Sequence, residues 1–80
     1  MIVIQQEELA RLPITIDPEI VSGAPVFAGT RVPVEALLNN LEAGLTLDEF
    51  LDNFPTVSRA QAVQVLEFYK SMIARLSKAA

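Results

Sequence analysis

Apolar residues recur at helical spacing through the second half of the chain and in short, broken runs through the first third. From Ser58 onward, Ala62, Val65, Leu66, Tyr69, Ile73 and Leu76 follow one another at intervals of one, three or four, which lines one face of a helix. Gln64, Glu67, Ser71, Arg75 and Lys78 mark the wet side, and Val63, Phe68 and Met72 widen the apolar arc. The pattern predicts a helix from Ser58 to about Leu76 with that first set turned inward. Ser58 and Gln61 have the spacing of a capping box, in which each end of the first turn satisfies a backbone N–H of the other. Thr46 and Glu49 repeat the signal upstream, with Leu45 placed to staple against Phe50 and Phe54-Pro55 to stop the helix. Val34, Leu37, Leu38 and Leu41 predict an earlier helix, entered at Pro33 and closed by Gly44.

The first third reads differently. Met1–Ile4 predicts an edge strand, and Gln5–Leu12 a short helix stopped by Pro13. Ile14-Thr15-Ile16 alternates as a strand does, and Asp17-Pro18 opens a single turn over Asp17–Val21. In Gly23-Ala24-Pro25-Val26-Phe27-Ala28-Gly29-Thr30-Arg31-Val32-Pro33-Val34 the glycines and prolines are too closely spaced for a helix. Pro25–Phe27 and Thr30–Val32 predict the two arms of a tiny hairpin turning at Ala28-Gly29, where glycine supplies a positive φ. The expected fold is mostly α: one domain over residues 1–80, with a small N-terminal β-hairpin element (1–33) and a three-helix unit (34–80). Phe54–Val57 links the last two helices as in a helix-turn-helix.

Composition narrows the function. The chain has 80 residues, 51% of them hydrophobic, more apolar side chain than so small a monomer readily hides, so a homodimer is expected. It has no cysteine and no histidine, which removes thiolate chemistry and the commonest general base and metal ligand. An enzyme, a metal site, a cofactor and a small-molecule substrate are therefore not expected. The opening residues lack a basic leader and a membrane-length apolar run, so the expectation is a cytoplasmic protein without membrane contact. Charge is split along the chain. Residues 1–57 carry two arginines against nine acids, and residues 58–80 carry four cations against Glu67. Nucleic acid would meet the C-terminal part, and a basic protein the acidic part.

The ordered set Ile16-Asp17-Pro18-Glu19-Ile20, Gly23-x-Pro25-Val26, Gly29-Thr30-Arg31-Val32-Pro33-Val34, Gly44-Leu45-Thr46 and Phe54-Pro55 resembles the bacterial and archaeal family known as domain of unknown function 433, over roughly residues 14 to 69. The resemblance implies a homeodomain-like helix-turn-helix and an antitoxin of a type II toxin–antitoxin module, related to the VapB group. It also implies a PIN-like ribonuclease toxin as partner and autoregulation through operator DNA. Where relatives often have Lys or Arg, this chain has Ala24 and Ala28, leaving Arg31 as the only cation of the hairpin.

Five side chains are candidates for DNA. Arg31, on a rigid hairpin beside a helix start, forks onto a phosphate, or locks the hairpin through Asp17, Glu19 or Glu35. Thr30 touches a backbone phosphate, or bonds its own turn. Arg59 lies in a first helical turn, where the dipole disfavours a cation, so it answers an outside anion or pairs with Asp52. Gln61 and Gln64 are adenine readers beside a guanine-reading Arg59, or Gln61 only completes its capping box. Asp48, Glu49 and Asp52 read as a solvated N-terminal acidic turn. Phe68, Tyr69 and Met72 read as core or dimer seam. The functional expectation is a dimeric antitoxin and self-repressor; the alternative is a protein-interaction module with no DNA activity.

Overall fold

The computed structural model describes residues 6–79. In chain order these form α1 (Gln6–Arg11), β1 (Ile14–Thr15), a short left-handed turn at Val21–Gly23, β2 (Val26–Phe27), α2 (Glu35–Glu42), α3 (Leu47–Asn53) and α4 (Arg59–Ala79). The strand expected at Met1–Ile4 lies outside the described residues. The fold is mostly helical, with one small antiparallel pair near the N-terminal end.

The partner of β2 differs from expectation. Ile14 lies opposite Phe27 and Thr15 opposite Val26, so Val26-Phe27 pairs with β1 and not with the arm that follows it. Thr30–Val32 returns alongside without becoming a strand: Phe27 N–H donates to the Val32 carbonyl at 2.9 Å, and Val26 and Pro33 form an isolated bridge. Thr30 explains this, because its hydroxyl takes the Val32 N–H and it occupies the Phe27 carbonyl with its own N–H and hydroxyl, while Pro25 has no N–H to return to Val34. The turn itself is as expected, with Thr30 N–H on the Phe27 carbonyl and Gly29 at φ +76. Asp17 also acts as expected: its Oδ1 accepts from Glu19 N–H, and its carbonyl from Ile20 N–H. Beyond that turn Val21 has φ +48, uncommon for a β-branched residue.

The helix ends are built from backbone chemistry. α2 takes Val34 as N-cap, so Pro33 stands one residue before the cap instead of in the first helical position. α2 closes on Gly44, at φ +95, with Gly44 N–H on the Leu41 carbonyl and Leu45 N–H on that of Asn40. This pair of bonds satisfies two orphan carbonyls and needs a left-handed residue at that point. At α3, Thr46 and Glu49 complete the capping box reciprocally. Ser58 and Gln61 do the same for α4, at 3.0 and 3.1 Å.

Phe27, Val34, Leu37, Phe50, Val57, Ala62 and Val65 form the core cluster, which joins β2, α2, α3, the α3–α4 turn and the first two turns of α4. Phe50 lies at its centre, its ring 6.2 Å from that of Phe27 and 4.9 Å from that of Phe54. Leu66 and Tyr69 pack on this cluster, but Ile73 is 65% exposed and Leu76 47%, contrary to the inward set expected for this helix. The reason is length. At 1.5 Å per residue, the 21 residues of α4 span about 31 Å, and the helix outruns the core beyond Tyr69. α1 reaches this part of α4 through an ion pair between Glu8 and Arg75.

Candidate functional site

The Ala28–Val32 loop and the front of α4 are tied together by one side chain. Gln61 Oε1 accepts from Ser58 N–H inside the capping box, while Gln61 Nε2 donates to the Ala28 carbonyl at 3.0 Å. Glutamine at this position closes the cap as glutamate would and still has amide N–H groups to give to the loop. Thr30 is similarly occupied: its hydroxyl donates to the Phe27 carbonyl at 2.8 Å and accepts from Val32 N–H at 3.0 Å. These two residues build the frame of the site, and their polar atoms are already engaged.

Three candidates stand outward on that frame. Arg31 is exposed and makes no ion pair with any described residue, so the expected lock through Asp17, Glu19 or Glu35 is not formed. It borders an open groove of about 680 Å³, lined also by Thr15, Gly29, Thr30, Phe54 and Thr56. That groove places Arg31 beside the turn that leads into α4. Arg59 pairs with Asp48, on the first turn of α3, and not with Asp52. Both side chains of this pair are mostly exposed, at 60% and 75%, so water and salt compete with it and an outside anion displaces Asp48 at little cost. Gln64 is exposed on the second turn of α4. Among the described residues no group of acidic side chains is arranged to hold a metal ion.

A second feature lies on the other side of the hairpin. An apolar cavity of about 360 Å³ opens between the strand region, the start of α2 and α4; Leu12, Pro25, Val34, Val65, Phe68 and Tyr69 line it, with Glu35 also in its wall. Burial, reinforced by the Glu35 carboxylate, pushes the Tyr69 phenol above its usual value of 10.0. The folded state therefore favours the protonated phenol. Its contribution to stability is complete below pH 10 and is lost as the pH rises towards the folded-state value. Tyr69 is the single tyrosine of the chain, so tyrosinate absorbance isolates it. The expected result is a titration midpoint above 10; a midpoint at or below 10 would place the phenol in water.

The family described as "Protein of unknown function (DUF433)" matches residues 14–69, most of the chain. The chain belongs to the DUF433 family. The DUF433 region starts at β1 and stops at Tyr69, where the core also ends, so α1 and the projecting end of α4 lie outside it. A curated relative, "Uncharacterized protein y4eO" of Sinorhizobium fredii (strain NBRC 101917 / NGR234), is 33% identical over 60 residues, which is 75% of this chain. The chain spans about a quarter of the length of that relative, 27%. The crystal structure of a DUF433 member protein from Anabaena variabilis ATCC 29413 superposes with a TM-score of 0.67 over 91% of this chain and 72% of that one, at 22% identity. This likeness bears on the fold. No helix among the described residues is long and apolar enough to cross a membrane.

Proposed function

We propose that this DUF433 chain is an antitoxin that occupies a PIN-like ribonuclease and represses its own operon through the α3–α4 helix-turn-helix. The observation that carries the DNA part is the Gln61–Ala28 bond, which holds the Arg31 loop against the first turn of α4. Two exposed guanidiniums, Arg31 and Arg59, are thereby presented from elements that cannot drift apart, with Gln64 one turn further along. A helix-turn-helix offers the front of its second helix to the major groove, and guanidinium forks suit both phosphate and guanine. The acidic residues 1–57 suit a basic protein surface, and Ile16, 61% exposed, gives that region an apolar contact.

The test uses DNA upstream of the reading frame of the chain. Arg59→Ala is expected to weaken binding by about 1–3 kcal/mol if Arg59 reads a base, with relaxed preference at one position. Arg31→Ala is expected to weaken all sequences alike and to reduce the salt dependence by about one unit of slope, as for a phosphate contact. Unchanged affinity in both variants removes the site. Gln61→Ala affects binding only through folding in this account, because its polar atoms are held by Ser58 and Ala28.

A second reading, a protein-interaction module without DNA activity, draws on other observations. Net charge is −4, Arg59 already has Asp48, and two of the five candidate side chains are spent inside the fold. An acidic chain gains little from counterion release unless its few cations act together.

A further inference from the structure

The apolar cavity beside the hairpin carries two polar groups that the rest of the fold does not use. Leu12, Pro25, Val34 and Val65 supply its aliphatic wall, and the rings of Phe68 and Tyr69 close one side. These residues are far apart in sequence, so the hollow is set by the packing of the fold and is not the property of one loop. Against this lining stand the Glu35 carboxylate and the Tyr69 hydroxyl. They are close enough for the carboxylate to act on the phenol. Neither makes a hydrogen bond or an ion pair with a described residue, and no lysine or arginine lines the cavity.

The chemistry of this wall selects an occupant. An anion is repelled by Glu35 and meets no cation. A neutral apolar molecule fills the hollow but leaves the carboxylate and the hydroxyl to water. An ammonium ion with an apolar body uses every part: its N–H groups donate to the Glu35 carboxylate in charge-assisted bonds and to the Tyr69 oxygen, and its charge is drawn to the faces of the aromatic rings. The Phe68 and Tyr69 rings stand 6.4 Å apart at 53°, which makes a corner and not a flat stack.

We propose that this cavity is a binding site for a small organic ammonium ion, its apolar body between Leu12, Val34 and Val65 and its head between Glu35 and Tyr69. The volume, about 360 Å³, lies at the small end of ligand pockets, which run from about 300 to 1,000 Å³. Neither Arg31 nor Arg59 lines the cavity, so the site stands whether or not the chain binds DNA.

Probes of one shape and different charge test the assignment on the full chain: hexylammonium, hexanol and hexanoate, at neutral pH and equal ionic strength. None has a chromophore. Tyr69 is the single tyrosine of a chain without tryptophan, so its fluorescence reports occupation of the cavity directly. Hexylammonium is expected to bind saturably and roughly two- to fivefold more tightly than hexanol, the worth of a charge pair that water partly screens, with hexanoate the weakest. Glu35→Gln, at an exposed position outside the core cluster, is expected to erase the advantage of the ammonium and leave hexanol binding unchanged. Ala24→Leu, which adds bulk at the cavity wall, is expected to weaken both; if that variant fails to fold, Glu35→Gln decides alone. Absence of saturation, hexanol or hexanoate binding as tightly as hexylammonium, or an ammonium preference that survives Glu35→Gln would overturn the proposal.

Discussion

Phe50→Ala is expected to cost the chain about 3–5 kcal/mol of stability. The Phe50 side chain is fully buried, touches the rings of Phe27 and Phe54, and ties β2 and the end of α3 to α2 and α4. Truncating a core phenylalanine costs about 3–5 kcal/mol, because the lost burial is compounded by a cavity that rigid neighbours cannot close. A domain of this length has roughly 4–12 kcal/mol in all, at 0.05–0.15 kcal/mol per residue. Urea denaturation followed by circular dichroism is therefore expected to show a loss of about 3–5 kcal/mol, at least a quarter of the total. A loss below about 1 kcal/mol would contradict the placement of Phe50 at the centre of the core.

Gly29→Val is the second large effect, and its cause is backbone and not space. Gly29 has φ +76, and a Cβ built there meets nothing within 4 Å. The penalty is the left-handed conformation itself, about 1–3 kcal/mol for a non-glycine residue and towards the upper end for a β-branched one. Relaxing the turn would also move the Ala28 carbonyl off Gln61 and loosen the front of α4. Gly29→Asn, which tolerates this region, is the control and is expected to lose less than about 1 kcal/mol. Thermal melts of the two variants settle the matter: equal losses for valine and asparagine would mean that the turn has relaxed away from positive φ.

The helical part of the fold was legible because its signals are local. Two capping boxes, the stop at Phe54-Pro55 and Gly44 each specify a boundary through residues within one turn of it. The strand partner was not legible in this way. Val26-Phe27 is β-prone whichever neighbour it takes, and the choice of Ile14-Thr15 follows from a longer-range pairing, left open because Thr30 ties up the backbone of the nearer arm. The exposure of Ile73 and Leu76 was hidden for a related reason: helical periodicity says which side of α4 is apolar, but not how far along the helix the core extends.

In the candidate site, sequence identified the outward residues Arg59, Gln64 and Arg31. It gave the wrong acid for Arg59, since Asp48 and Asp52 lie one turn apart on α3 and only the angle between α3 and α4 decides which is reached. The bond from Gln61 to Ala28, across 33 residues, had one faint trace in the sequence. The α4 cap uses Gln where the α3 cap uses Glu, and only the amide has hydrogens to spare.

The most direct measurement is a mobility shift of the DNA upstream of this reading frame, titrated with the chain from low to moderate salt. With Arg31 on a phosphate and Arg59 on a base, log affinity is expected to fall against log salt with a slope of about −0.9 for each chain bound. No shift even at low salt would contradict the proposed helix-turn-helix reading and leave a protein-interaction module in its place.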